Sequence, residues 1–368
     1  MPQRRNRRAE GMGTKGLHMT HFTRRNILAG AAGLGLTGAT RASAADLPAH
    51  EKELYELAKP EGELTWYSGQ LSAETSEAVG RAFTERFPGV KVNVVRSTSQ
   101  VAFQRLSQDM RAKTAQCDVF ASTDSGHYSF LKRQKALLKF RPRNADGLLE
   151  HLRVADPDDY YQSAYMGLYL MAYNTLKVAE ADAPKAWRDV LDPRWKDQGA
   201  VGHPGYSGAI GIWAVQMRKM YGWDYYTKLE ANRPLIGRSS QDPVTSLNAG
   251  ERTIGIAVPL GTTLLAASRG NPIKLIYPTD GTLAVQSPAA IPANAPHPNA
   301  ARLFMEYVTG PQYSAVIRAY FNDTLRPDVP SPEGAKPLAE LRLISPSQEE
   351  AEKGVPEVRE MWRDTFRI

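Results

Sequence analysis

The chain has 368 residues, 42% of them hydrophobic and 23% charged, which suits a soluble globular protein of two domains or lobes. Its formal charge of +7 belongs to the first 44 residues, which hold eight of the 46 basic residues and one of the 39 acidic ones. The remaining 38 and 38 cancel. That balance excludes a basic footprint of the kind that grips a nucleic-acid backbone, and the single cysteine, Cys117, excludes an intrachain disulfide.

Residues 1–44 read as a cleaved export signal. Arg24-Arg25 is followed by a small-residue apolar stretch from Ile27 to Ala39 and by Ala42-Ser43-Ala44, the order of a charged region, an apolar region and an A-x-A cleavage site. The twin arginine with Leu28 shortly after points to the Tat route. The apolar stretch is too short to span a bilayer, and no cysteine is present for lipid attachment. A protein free in the periplasm is expected, with no stable membrane insertion.

From residue 48 helix-like and strand-like runs alternate. HEKELYELAKPEG reads as an amphipathic helix, ELTWYSG as a strand, and SAETSEAVGRAFTERFPG as a helix with Val79, Phe83 and Phe87 on one face. VKVNVVRS alternates as a strand, QVAFQRLSQDMRAK is helical, and CDVFAS is a third strand, with Cys117 expected to be buried before it. This β-α-β-α-β order signals a parallel sheet with helices on its faces. Each strand ends in small polar residues: Tyr67-Ser68-Gly69-Gln70, Ser97-Thr98-Ser99, and Ser122-Thr123-Asp124-Ser125-Gly126. Ligands of open α/β sheets bind outside the carboxyl ends of the strands, so the three turns are expected to line one rim.

YYQSAYMGLYLMAYNT then reads as an aromatic strand. A second set of elements follows: GAVGH, the run from Ser207 to Met220, WDYYTKLEANR, DPVTSLNAGE and the strand TIGIAVP. In HPGYSGAIGIW, Ser207 and Gly208 open a helix, and a helix start offers bare N–H donors that serve either a cap or an anion. IKLIYPTDGTLAVQSPAAIP, a helix carrying Ala300, Phe304 and Tyr307, and a helical tail to Ile368 complete the chain. Two α/β units joined by extended crossings fit two lobes around a cleft.

MAYNT, AWRDVLDPRWKDQGAVGHPGYSG, NAGERTIGIAVP, IYPTDGT and RPDV, in this order and spacing, resemble the extracellular solute-binding proteins of bacterial ABC importers, closest to the iron(III)-type or family 1 group. The resemblance covers residues 62–330. It implies an α/β, two-lobed type II periplasmic-binding-protein fold with an interlobe cleft and a crossing-strand hinge. The divisions expected are a first lobe over 45–165, a second over 166–260, a return to the first lobe over 261–330, and a helical tail over 331–368. The resemblance also implies an ABC permease and its ATPase as partners, or a chemoreceptor or sensor kinase if the protein serves sensing. It places the second-lobe binding site at Ser207–Ala209.

The expected ligand-binding set is Tyr67, Ser68, Gly69, Ser97, Thr98, Ser122, Thr123, Ser207, Gly208, Ala209, Pro259 and Leu260. Ferric members of the family carry a tyrosine pair just after the return strand, where this chain has Leu260-Gly261-Thr262. Tyr225-Tyr226 lies about 30 residues earlier in a helix-like run where one ring at most is expected to face inward, and Tyr160-Tyr161 precedes the crossing strand. A rim of hydroxyls and backbone amides with few fixed acids suits a small anion: a carboxylate, an organic phosphate or a phosphonate. Ferric iron is the alternative. Arg238 is a candidate cation near the cleft, and Tyr67 or Tyr165 a candidate stacking ring.

No HExxH, GxSxG or Walker pattern occurs. The mature histidines, His50, His127, His151, His203 and His297, show no metal-ligand spacing, and His203 is the one candidate base near Ser207. No enzyme activity, cofactor or bound metal is expected, and a monomer is.

Overall fold

The computed structural model describes residues 47–368, so the expected export signal lies outside the described residues. The first stretch builds α1 (Ala49–Ala58), β1 (Glu63–Ser68), α2 (Ala73–Arg86), β2 (Lys91–Arg96), α3 (Ser99–Ala112), β3 (Val119–Ala121), α4 (Ser125–Arg133) and the two-residue β4 (Leu137–Leu138). β1 pairs in parallel with β2 on one side and β3 on the other. Ser72 caps α2 by accepting the Thr75 N–H at 3.1 Å, which satisfies one of the orphan donors of a helix start. The face foreseen on α2 is the buried one. Val79, Phe83 and Phe87 are inaccessible, and the Phe83 ring meets Phe304 and Tyr307 at centroid distances of 5.2 and 5.4 Å.

β5 (Gln162–Asn174) is buried at all 13 positions. Beyond it come β6 (Gly199–Gly202), α5 (Gly208–Tyr221), α6 (Asp224–Ala231), β7 (Leu235–Gly237), α7 (Asp242–Asn248), β8 (Ile254–Pro259), α8 (Leu260–Ser268) and β9 (Ile273–Ile276). The chain returns on β10 (Thr282–Pro292), adds α9 (Pro298–Val308) and α10 (Pro311–Ala319), and closes with β11 (Leu343–Ile344) and α11 (Gln348–Phe366). One sheet runs through both lobes in the order β2-β1-β3-β10-β5-β8-β6-β7, with β4 and β11 on β10 and β9 on β5.

β5 and β10 are the crossing strands. They pair antiparallel from Leu283–Tyr169 to Ala289–Gln162. The return to the first lobe starts at Thr282 rather than just after residue 260, because β9 still pairs with the far end of β5, from Met171 to Asn174. A β-bulge interrupts the β5–β8 ladder between Leu170 and Met171, and Ala257 opposite it takes a left-handed φ of 55°. An extra residue of this kind bends the strand that carries it.

Each lobe has its own core. In the second, Trp187, Trp213, Tyr225 and Tyr226 are buried together. Both rings of the tyrosine pair face inward, against the expectation of one. The Tyr225 hydroxyl donates to the Trp187 carbonyl and the Tyr226 hydroxyl to the Ala214 carbonyl, each at 2.8 Å. α6 is covered on two neighbouring sides, by the 187–191 turn and by α5 and α11, so adjacent positions are both interior.

The C-terminal tail is α-helical only from Gln348, with a single 3-10 turn at Leu338–Glu340 before it. Pro327, Pro330, Pro332, Pro337 and Pro346 keep the preceding stretch extended or irregular, since proline lacks the N–H a helix needs. α11 begins with a reciprocal Ser347–Glu350 cap and packs closely on α5. A Cβ on Gly354 would stand 2.8 Å from a Val215 methyl, and one on Gly211 would stand 3.0 Å from a Val355 methyl. Val355, Val358 and Trp362 join the second-lobe core. At its start α11 also reaches the first lobe: Glu352 pairs with Arg133 of α4 at 2.5 Å, and Gln348 donates to the Tyr161 hydroxyl at 3.0 Å.

Candidate functional site

The carboxyl ends of β1, β2 and β3 face the starts of α5, α7 and α8 across a narrow cleft with a free volume of about 20 Å³. Gly69, Gln70, Arg96, Thr98, Ser99 and Thr123 line one wall. Ser207, Ser239, Ser240, Gln241, Pro259 and Thr262 line the other, and Tyr165, Tyr169 and Asn322 close the hinge side. A wider groove runs beside β9, walled by Leu264, Ile273, Leu275 and Tyr277 with lysines at its rim. It lies away from the convergent strand ends, so the cleft is the site the topology builds.

Ser99 ties the first wall together. Its hydroxyl donates to the Gly69 carbonyl at 2.8 Å, meets Thr123 Oγ1 at 2.7 Å and accepts the Thr123 N–H at 3.1 Å. Gly69 is required here, because a Cβ would lie 2.9 Å from the Ala121 carbonyl oxygen and 3.0 Å from Ser99 Cα. Arg96, the last residue of β2, donates from Nε to the Leu71 carbonyl at 3.1 Å. Burial lowers the pKa of its guanidinium, with Tyr169 and Asp242 acting the other way. Among the described residues, no Asp, Glu, His or Cys lines the cleft, and Asp242, outside that lining, is the carboxylate whose charge acts on Arg96. The Tyr169 hydroxyl is pushed up to about 12 by burial, which the Ser240 hydroxyl and Arg96 partly offset. Burial also holds Tyr165 well above the ordinary phenol range, and its hydroxyl donates to Asn322 Oδ1 at 3.0 Å.

Five of the expected residues come together in this cleft: Gly69, Thr98, Thr123, Ser207 and Pro259. The others stand elsewhere, for reasons of strand alternation and packing. Tyr67 turns to the α3 side, where its hydroxyl donates to Asp109 at 2.8 Å and Arg105 lies over its ring. Ser68 turns to the α2 side and meets the Ser76 hydroxyl at 2.9 Å. Ser97 continues the β1–β2 ladder through its N–H to the Ser68 carbonyl and does not line the cleft. Ser122 bonds His127 Nδ1 at 2.8 Å below the rim. Ala209 lies in the second-lobe core and Leu260 in an apolar cluster with Leu148 and Met166. Gly208 sits on the seam between the lobes. Arg238 lies over the Tyr206 ring at 4.6 Å and outside the cleft lining. His203 and Ser207 are not joined as a reactive pair, since His203 Nδ1 accepts the Gly205 N–H at 2.8 Å and Ser207 Oγ caps Ile210 N–H at 3.4 Å.

The family profile described as "Bacterial extracellular solute-binding protein" matches residues 116–344, more than half of the chain. The chain belongs to this family. It is the solute-binding component of an ABC importer, a class whose partners are a permease and an ATPase. No helix among the described residues is long and apolar enough to cross a membrane.

An uncharacterised protein of Haemophilus influenzae is 24% identical to this solute-binding protein over 240 residues, 63% of this chain and 68% of that one. The periplasmic binding protein AfuA from Actinobacillus pleuropneumoniae, solved with exogenous fructose-6-phosphate bound, superposes with a TM-score of 0.75 at 20% identity, over 84% of this chain and 99% of that one. Iron-bound HitA from Pseudomonas aeruginosa superposes with a TM-score of 0.70, also at 20% identity, over 82% and 99%. At these identities the likeness is one of fold, and it bears out the two-lobed type II architecture.

Besides the contacts of α11 and the Arg269–Glu74 ion pair, the lobes of the solute-binding protein meet at a seam beside the cleft. The Gln100 N–H donates to the Tyr206 carbonyl at 3.2 Å. A Cβ on Gly208 would stand 2.8 Å from Thr123 Oγ1 and 2.9 Å from Asp124 Cβ. Beneath the seam, the Gln100 amide bridges Asp124 Oδ2 at 2.6 Å and His127 Nε2 at 3.0 Å. Burial lowers the His127 pKa. The residues that sequence reasoning missed have two signatures. Arg96 ends an alternating strand, the position that faces a rim. Tyr169, Ser239, Ser240 and Asn322 carry no local signal, because chain crossings bring them in from distant segments.

Proposed function

We propose that this solute-binding protein captures a small organic anion, a carboxylate, organic phosphate or phosphonate, between its lobes and delivers it to the permease. In this reading it is exported by the Tat route, acts in the periplasm and works as a monomer. The observation that carries the reading is Arg96, a cleft-lining guanidinium with no carboxylate within ion-pair distance among the described residues, in a cleft whose described lining holds no acid. Supporting it, the starts of α2, α3, α5 and α8 all contribute residues to the cleft, and helix starts favour negative charge. The proposed contacts are Arg96, Thr98, Ser99, Thr123, Ser207 and Ser240, with Gly69 and Pro259 shaping the walls. Closure would bend β5 and β10 and press the start of α5 onto the turn after β3.

The fold accommodates either ligand type, since AfuA was solved with a sugar phosphate and HitA with iron. The donor set distinguishes them. Fe(III) favours anionic oxygen ligands, whereas no Asp or Glu among the described residues lines the cleft and Arg96 adds positive charge. The test is a thermal-shift panel on residues 45–368, unfolded and refolded to strip carried solute. Dicarboxylates, aromatic carboxylates, sugar phosphates, phosphonates, ferric citrate and citrate alone are compared. A ligand at a hundred times its Kd adds about 2.7 kcal/mol. One organic anion class raising the midpoint, with ferric citrate no better than citrate, is the expected result. An effect of iron beyond that of citrate contradicts the reading.

A further inference from the structure

Among the described residues, two buried polar atoms of the cleft lining have no hydrogen-bond partner: Thr98 Oγ1, and Gln70 Oε1, whose amide group lies beside the Tyr313 hydroxyl. Gln70 is only 8% exposed. Native interiors rarely leave such groups unpaired, because each costs the full desolvation penalty. Their chemistry differs in an informative way. A threonine hydroxyl both donates and accepts, so an anion oxygen at the start of α3 satisfies it. An amide oxygen only accepts. A carboxylate or phosphate oxygen gives it nothing, and an O–H or N–H is required. Arg96 and Gln70 therefore ask for opposite things in the same cleft, the first for an acceptor and the second for a donor.

We infer that the solute is a hydroxylated organic anion, whose charged group is held by Arg96 and Thr98 and whose carbon chain carries a hydroxyl that donates to Gln70 Oε1. The inference rests on the anion reading above and narrows it. A bare inorganic anion or an alkyl carboxylate would leave Gln70 unpaired.

The test is isothermal titration of the stripped mature chain with two charge-matched pairs, glucose 6-phosphate against n-hexyl phosphate and gluconate against n-hexanoate, and with glucose as the neutral control. The hydroxylated member of one pair is expected to bind on the order of ten- to a hundredfold more tightly than its alkyl partner. Gln70→Met, close in shape but without the acceptor, is expected to erase that advantage. Circular dichroism confirms that the variant is folded. Equal binding within both pairs, or an advantage that survives Gln70→Met, overturns the hydroxyl assignment and leaves the anion reading standing. Glucose binding as tightly as the anions overturns the anion reading as well. Silence from all five overturns the class assigned here, and the Arg96 variant described below then judges the anion reading alone.

Discussion

Gly208→Ala isolates closure from folding. With the lobes in contact at this seam, the added methyl would stand 2.8 Å from Thr123 Oγ1 and 2.9 Å from both the N and Cβ of Asp124. Two of those atoms are fixed by backbone, and Thr123 is held by Ser99, so none of them can swing aside. Overpacking of this kind costs about 1–3 kcal/mol. The cost falls only on the closed state, because parted lobes leave the methyl free. Alanine also favours helix over glycine, but that gain is present with the lobes open or closed and cancels from the affinity. Apparent affinity falls with the population of the competent state, so 1–3 kcal/mol becomes roughly a 5- to 150-fold rise in Kd. The assay is titration of wild type and variant with the best anion of the thermal-shift panel, beside thermal unfolding without ligand. The expected result is a raised Kd with an unliganded midpoint no lower than wild type. Wild-type affinity in the variant would refute the claim that this seam forms on binding.

Three further outcomes follow from particular residues. Ser207→Asp keeps a good helix cap but puts a carboxylate in the cleft, so titration should show binding abolished at an unchanged midpoint. Asp323 is buried, and burial raises its carboxyl to about 6, with the Ser331 hydroxyl partly offsetting it. Its ionised form destabilises the fold, so this penalty is absent below pH 4, grows as pH rises through 4–6 and is complete above. Asp323→Asn should therefore be more stable than wild type by about 1–3 kcal/mol at pH 8, an advantage that denaturant titrations should show fading by pH 4. Trp362→Ala empties a fully buried site between α11 and the second-lobe core and should cost about 3–5 kcal/mol, read as a lower denaturant midpoint.

Helices, strands and two-lobed topology were legible because each rests on local pattern. The apolar spacing of Val79, Phe83 and Phe87 fixes one helix face, and the alternation in VKVNVVRS fixes β2. The site was legible only in part. Turn residues past a strand end, such as Gly69, Thr98 and Thr123, reach the cleft as expected. Residues still inside a strand, such as Tyr67 and Ser68, follow its alternation into the layers on either side. Gly208 was foreseen as a place for ligand approach, yet the observed close approach there is of the opposite lobe. Asn322 meets Tyr165 of β5 only because the chain has returned to the first lobe after β10, and the Tyr225–Tyr226 pair is covered in part by α11, which returns from the end of the chain. Such contacts come from long-range packing, which periodicity does not encode.

The central claim is that Arg96 holds the anion. Titration of Arg96→Gln with the anion that most stabilises the wild-type mature chain tests it most directly. The variant keeps a hydrogen-bond donor and removes the charge, and hydrogen bonds to charged groups are worth about 1.5–3 kcal/mol. The account predicts a rise in Kd of roughly tenfold to more than a hundredfold, with a weaker salt dependence of binding and an intact fold. Wild-type affinity with an unchanged salt dependence would contradict it.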